Sequence, residues 1–376
     1  MTAHEMPKMT DEHDRTAYVH LPYGLDAERY HARFLAGREP DESPYGFHVA
    51  RELGWQILFS SDRREGPVRR TLRRSLKWLL GFDFIHLWRN RALLRDADIV
   101  WTMQDSEWLA LRFAALWHQP ARLPVIGNTV WLFDRWEQIN PVRRWLYQRL
   151  ARGPGVLTVH SDRYVPVMQR VLSKVRCERM YFGTGLPDQA GYGDDDAERD
   201  ASRPIRVFAA GNDPTRDWAT LLAAVGDDPR FEVELLCSWV SEEEKRRHPS
   251  VLPRPATKDH ARETFDALYR WADLVVVPMK ENRFSGITVA LEAAARERPI
   301  ISSRTGGVPT YFSENEVFFV PPGDPLALRN AALASASERR FRAAAARARL
   351  VSDDYSIKGM MARYIALSRS VLEKDV

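Results

Sequence analysis

The sequence predicts an α/β protein made of two doubly wound parallel-sheet domains facing a central cleft. Three observations carry this. The chain has 376 residues, too long for one ordinary core and suited to two. Short apolar runs ending in Gly, Pro or polar tips alternate with segments of helical period in both halves, the pattern of parallel sheets with crossover helices. Composition breaks most clearly between Tyr181 and Pro204, where Gly183, Gly185, Pro187, Gly191, Gly193 and Asp194-Asp195-Asp196 accumulate. That break reads as a linker. The expected parts are a disordered lead-in (1–16), an N-terminal domain (17–182), the linker (183–204), a C-terminal domain (205–352) and a terminal helix (353–376).

The bulk numbers exclude several classes. Hydrophobic content of 44% and charged content of 28% are globular values. Cys177 and Cys237 make neither a disulfide framework nor a metal cluster and fit a reducing cytoplasm. The apolar runs fall short of the roughly 20 residues a membrane span needs. The opening MTAHEMPKMTDEHDR lacks the apolar core of a signal peptide. No nucleic-acid partner, metal or other cofactor is expected. Net charge is only +4, but it is unevenly spread. Arg63 to Arg95 holds ten Lys or Arg against Glu65 and Asp83.

In the N-terminal half, Ala17–Leu21 reads as a strand. Tyr45–Leu53 reads as a helix stopped by Gly54, and Trp55–Phe59 as the next strand. Between Arg63 and Arg95, Leu72, Leu76, Leu79 and Leu80 share one helical face, with Arg69, Arg70, Arg73, Arg74 and Lys77 covering the other. Trp78 and Trp88 add interfacial aromatics. Such a helix suits an anionic membrane surface; the alternative is a solvated helix whose Leu stripe packs on the sheet. Asp98–Thr102 and Leu123–Gly127 read as strands with polar tips at Gln104 and Asn128. Trp131–Leu150 reads as a helical hairpin, and Gly155–Ser161 as a strand ending near His160.

The C-terminal half opens with the strand Ile205–Gly211, followed by Asn212, Arg216 and a helix through Leu221-Leu222. Phe231–Cys237 alternates like a strand. The organising stretch is Val275–Pro309. The apolar run Leu274–Val277 ends at Pro278, and a polar loop carries Lys280, Glu281, Arg283 and Ser285-Gly286. A helix over Ile287–Arg296 follows, then the strand Pro299–Ile301 and the turn Gly306-Gly307. Both loops fall at the carboxyl ends of strands, where open α/β sheets bind ligands. The first places backbone N–H groups at a helix N-terminus, a ready anion site.

Leu291-Glu292-Ala293, Pro299-Ile300-Ile301, Gly306-Gly307-Val308-Pro309 and Pro321-Pro322-Gly323-Asp324-Pro325 together resemble the donor-binding core of family 4 glycosyltransferases with the GT-B fold of two Rossmann-like domains. In that family two glutamates flank a seven-residue spacer. Here the first is replaced by Phe284, eight residues before Glu292, and Ser285-Gly286-Ile287-Thr288 resembles the family's Ser-Gly variant. The resemblance implies a donor site of Gly211, Asn212, Arg216, Lys280, Arg283, Ser285, Gly286, Ile287, Thr288 and Glu292. Arg216 stands near a family Lys, Asn212 at a family Arg, and Glu292 at the carboxylate that binds ribose hydroxyls. It implies an acceptor side near Arg38, Asp41, Glu42, Gly46, Gln104 and Asn128, although Asp41 and Ser43 equally suit a helix cap. It also implies metal independence and retention of configuration, and a terminal helix that crosses back to the first domain.

The expected function is therefore a metal-independent glycosyltransferase. It would move sugar from a UDP- or GDP-type nucleotide sugar to a glycan or polyprenyl-linked acceptor, in polysaccharide or glycoconjugate biosynthesis. The expected location is cytoplasmic, peripheral at the inner membrane face. Glu281, His160 and Asp41 are the candidates for chemistry, none of them assigned as base. A sugar-nucleotide epimerase on the same fold and a non-catalytic nucleotide- or membrane-binding homologue stay open.

Overall fold

The computed structural model describes residues 15–187, 203–238, 240–249, 251, 253–254 and 262–373. Most of the lead-in read for 1–16 and most of the linker read for 183–204 lie outside them; Thr16, the last residue of that lead-in, already belongs to the first strand.

Two six-stranded sheets, parallel throughout, form two lobes. The first takes strands β1 (Thr16–His20), β2 (Gln56–Phe59), β3 (Ile99–Thr102), β4 (Val125–Asn128), β5 (Gly155–Val159) and β6 (Cys177–Arg179), in the order β2-β1-β3-β4-β5-β6. The second takes β7 (Ile205–Ala210), β8 (Phe231–Leu236), β9 (Pro253–Arg254), β10 (Leu274–Val277), β11 (Ile300–Ser303) and β12 (Val317–Val320), in the order β12-β11-β10-β7-β8-β9. β10 is fully buried, the reason its sequence is an unbroken apolar run rather than an alternation. In the second sheet the strand order reverses between β7 and β10. The loops after those two strands therefore splay apart and leave a crevice at their carboxyl ends.

The helices are α1 (Ala27–Leu35), α2 (Pro67–Leu80), α3 (Phe84–Asn90), α4 (Asp105–Ala114), α5 (Pro141–Leu150), α6 (Val165–Val171), α7 (Trp218–Val225), α8 (Glu242–Arg247), α9 (Arg262–Trp271), α10 (Ile287–Ala295), α11 (Val308–Tyr311), α12 (Pro325–Ala334), α13 (Arg339–Ser352) and α14 (Ile357–Leu372). Each sheet carries an apolar layer on both faces. α14 follows the second lobe in sequence but packs on the first, where Met360, Met361 and Tyr364 join Phe47 and Trp101 in one cluster. Ser368 Oγ accepts from the Trp101 indole at 2.9 Å. Each large side chain so buried contributes roughly 1.5–3 kcal/mol, so α14 is part of the first lobe's core.

Several expectations are corrected. Tyr45–Leu53 is not one regular helix. It is 3-10 turns in which Tyr45 (φ 59°) and Gly46 (φ 70°) are left-handed, because the chain must bend there to seat Phe47 against Trp101. Trp131–Leu150 is not a hairpin of two helices: a 3-10 turn at Trp136–Gln138 precedes the single helix α5, whose start is set by Asn140 capping the Arg143 amide.

The Arg63–Arg95 reading needs the largest revision. Arg73 is not on the open basic face. It is buried, bonded to Glu65 at 2.9 Å and Asp83 at 2.5 Å, with its guanidinium over the Tyr23 ring. The two acids of the segment claim it. Trp88 also turns inward, against Phe84 and His118. Leu72 and Leu79 do not pack on the sheet; both are exposed.

Candidate functional site

The crevice of the second lobe is built around one arginine. After β7, Gly211 (φ 149°) leaves a space that Arg216 fills; a Cβ on Gly211 would lie 2.1 Å from Arg216 Nε. Arg216 is only 7% exposed. Its Nε lies 3.1 Å from Asp213 Oδ2, an ion pair lacking hydrogen-bond alignment, and among the described residues neither Nε nor Nη1 has a hydrogen-bond partner. Burial lowers the guanidinium pKa, and Asp213 opposes that shift. Donors left unmet on a buried cation cost free energy until further acceptors reach them, even with one carboxylate already alongside.

The loop after β10 is strapped to this one. Lys280 donates its amide to the Thr215 carbonyl (2.8 Å), and the Asp217 amide donates to the Pro278 carbonyl (3.1 Å). Ser285 Oγ donates to Asp213 Oδ2 at 2.9 Å. Within the loop, Asn282 Oδ1 accepts from the amides of Phe284 (3.1 Å) and Ser285 (2.8 Å), a side-chain turn that aims the chain at α10. Gly286 (φ 92°) opens α10, whose N-terminus has no side-chain cap. Its first amides and their dipole therefore face the cavity lined by Ser285, Gly286, Ile287 and Thr288. One turn further, Glu292 Oε2 accepts from Tyr269 Oη at 2.7 Å. Burial raises its pKa, and the Tyr269 bond opposes the rise.

The facing wall comes from the first lobe. Asn128 Nδ2 donates to the Met103 carbonyl (3.1 Å) and to His160 Nε2 (2.9 Å), while His160 Nδ1 donates to the Met180 carbonyl (2.8 Å). Thr158 Oγ1 donates to Asn128 Oδ1 at 3.3 Å. The imidazole is thus held as one neutral tautomer, and burial pushes its pKa down to about 4. Behind this wall, burial raises Asp105 to about 6 and Glu107 to about 8.

A clasp joins the lobes. Phe284 stacks edge-on against Trp131 (ring centroids 4.4 Å apart) and lies against Tyr164. Arg283 pairs with Asp134 at 2.8 Å, and Arg163 pairs with Glu281 at 2.6 Å and donates to Thr305 at 3.0 Å. Between the walls lies a cavity of about 240 Å³, bounded by Arg216, Ser285 to Thr288, Asn128, His160, Gln104, Tyr45, Trp131 and Phe284.

The residues read from the sequence therefore separate. Arg216, Ser285, Gly286, Ile287, Thr288, Gln104, Asn128 and His160 meet in that cavity. Gly211 seats Arg216 from behind. Glu292 and Asp41 line a neighbouring cavity that shares Tyr45, Phe182 and Thr288 with the first. Asn212 turns its side-chain oxygen to the Ser238 amide at 2.8 Å. Lys280 is exposed; Glu281 and Arg283 are held in the clasp. Glu42 lines a separate cavity with His31, and Arg38 is exposed. Gly46 faces Ile357 of α14, where a Cβ would come within 2.3 Å. Sequence reasoning missed Asp213, Asn282, Trp131 and Tyr269. Asp213-Pro214-Thr215 and Asn282-Arg283-Phe284 are Asx-turn patterns that offered a signal; Trp131 and Tyr269 offered none.

Residues 213–337 match the family model described as glycosyl transferases group 1, the family the motifs of the second lobe resemble. Three solved structures share the whole architecture. Sucrose-phosphate synthase from Thermosynechococcus elongatus is 18% identical, with TM-score 0.71 over 96% of this chain and 100% of that one. Anabaena HepE in complex with UDP is 13% identical, with TM-score 0.64 over 95% and 100%. A UDP-forming trehalose-phosphate synthase from Burkholderia xenovorans is 14% identical, with TM-score 0.60 over 95% and 99%. No curated protein matches by sequence. The chain has the GT-B fold.

Proposed function

We propose that this chain transfers a sugar from a nucleoside-diphosphate sugar to a hydroxyl acceptor. One observation carries the reading: Arg216, buried with unmet donors, lies beside the uncapped N-terminus of α10. Negative charge grows on the diphosphate as the glycosidic bond breaks. A fixed guanidinium and fixed amides stabilise that charge with no reorganisation. Glu292, with one oxygen held by Tyr269, accepts from the ribose hydroxyls. UDP in the HepE complex makes a uridine donor the first to try. In this reading charge is met by the protein without a metal, and transfer retains configuration.

His160 serves as a strut, because both ring nitrogens are already engaged. The same fact weighs against an epimerase, which needs an acid–base group free to meet the sugar. The experiment is donor hydrolysis and thermal shift with UDP-, GDP- and dTDP-sugars. Stabilisation by one nucleotide series with slow release of free sugar is expected; no stabilisation at millimolar ligand would contradict the reading.

The acceptor is proposed to be a lipid-linked saccharide in polysaccharide or glycoconjugate synthesis, met at an anionic membrane. Val68 and Trp78 of α2 are 81% and 78% exposed, and Val142 and Trp145 of α5 are 75% and 65% exposed. Arg143 of α5 donates to the Trp78 and Leu79 carbonyls, which ties the two helices side by side. Arg69, Arg70, Arg74 and Lys77 surround these apolar tips on α2. Aromatic tips among cations fit a bilayer interface with anionic lipid, and the helix carrying them does so without Arg73 or Trp88. Flotation with anionic vesicles, weakened by salt, is the expected outcome; equal recovery with neutral vesicles would refute it.

A further inference from the structure

The cavity that would take an anion also carries an anion of its own. Among the described residues that line it, Asp213 and Arg216 are the charged ones, His160 being held neutral. The Asp213 carboxylate is fixed in place. Its Oδ1 accepts from the Thr215 amide at 3.0 Å and from the Thr215 hydroxyl. Its Oδ2 accepts from Ser285 Oγ at 2.9 Å and lies 3.1 Å from Arg216 Nε. Ser285 stands just before Gly286 and α10, so the carboxylate is tied to both loops of the crevice. Its side chain is 20% exposed, and a charge so covered is screened far less than one on the open surface.

In the empty site this arrangement is favourable. A buried guanidinium needs a counter-charge; burial disfavours the charged form of Arg216, and Asp213 opposes that shift. In the filled site the sign reverses. A diphosphate that reaches Arg216 Nη1 and the first amides of α10 shares one guanidinium with Asp213, and like charges that close repel. The repulsion grows with the charge of the ligand. In a nucleotide sugar the diphosphate is esterified at both ends. Transfer of the sugar to a hydroxyl releases the hydroxyl's proton and frees an oxygen on the terminal phosphate, which ionises with a pKa of about 6. The product is therefore more negative than the donor.

Resting on the donor reading above, we infer that Asp213 is a specificity-determining residue: it sets the site to favour the nucleotide sugar over the free nucleoside diphosphate, by repelling the charge the product has gained. The same carboxylate limits how long the product stays.

The test is calorimetric affinity of the full-length wild-type protein and of Asp213→Asn for UDP-glucose and UDP, dTDP-glucose and dTDP, and GDP-mannose and GDP. Asn keeps the size of the side chain and an oxygen for the Thr215 amide, and removes the charge. In the series whose nucleotide binds, the variant is expected to hold the free diphosphate about tenfold more tightly, about 1.4 kcal/mol, and the nucleotide sugar only about threefold more tightly. Loss of a purely structural brace would instead loosen Arg216 and weaken both ligands alike. If both weaken, if neither changes, or if both gain equally, the inference falls and the donor site stands. If the wild-type protein binds no nucleoside diphosphate of any base, both fall. Asp213→Ser, with the same order of effects expected, takes the place of the Asn variant if a melting curve shows that variant misfolded.

Discussion

The two walls of the cleft are built alike and finished differently. Each is the carboxyl edge of a parallel sheet. In the first lobe, Asn128, His160, Thr158 and the Met103 and Met180 carbonyls satisfy one another. In the second lobe, Arg216 is buried beside Asp213 with two nitrogens that lack a hydrogen bond among the described residues, and α10 starts without a side-chain cap. A closed network gives rigidity and shape, and an open one gives affinity. The first wall defines what fits, and the second supplies the energy for holding an anion.

The largest test of that contrast removes the open charge. Arg216→Met is expected to weaken UDP binding about a hundredfold, since a hydrogen bond to a charged group contributes roughly 1.5–3 kcal/mol and this arginine can offer more than one. Gly211→Ala is expected to show most of the same loss with Arg216 still present, because its Cβ would displace the guanidinium. Calorimetry reads both. Unchanged affinity in either would erase the distinction between the walls.

The closed wall should respond in the opposite way. His160→Gln is expected to cost roughly 1–3 kcal/mol of stability while leaving UDP affinity within about twofold. It should also flatten the pH dependence. His160 is held neutral down to about pH 4, whereas in the unfolded chain it titrates near 6.5. Its contribution is therefore complete above about pH 6.5 and is lost as pH falls toward 4, by an amount on the order of 3 kcal/mol. Denaturant melts of both proteins across that window check this; parallel curves would show that His160 is not the titrating strut.

Away from the cleft, Trp78→Ala with Trp145→Ala is expected to reduce partitioning onto anionic vesicles about tenfold and leave nucleotide affinity alone. The smallest expected effect is at Glu292. Glu292→Gln should lower UDP affinity about fivefold, near 1 kcal/mol, and remove discrimination against 2′-deoxy-UDP. Retained discrimination would place the ribose elsewhere.

How much of this could be read beforehand follows from how local each signal is. β10, α10 and β11 announce themselves because a buried strand must be continuously apolar and Gly306 must approach the Ser285 carbonyl closely, where a Cβ would lie 2.4 Å away. Arg216 could be placed through the family resemblance, which sets it near a donor-site Lys. Arg73 could not: on a helical wheel it is one more cation, and only the fold brings Glu65 and Asp83 to it. Phe284 read as a lost carboxylate. Its place in the clasp depends on Trp131 and Tyr164, more than a hundred positions away in the other lobe. Gly46 stood on the acceptor side by resemblance alone; the fold seats Ile357 against it, a contact made by a helix from the far end of the chain.

The most direct measurement is a crystal structure of the protein with UDP. The diphosphate is expected on the second wall, with phosphate oxygens within hydrogen-bonding distance of Arg216 Nη1 and the first amides of α10. Phosphates bound elsewhere, with Arg216 still facing Asp213 alone, would contradict the assignment of that wall as the donor site.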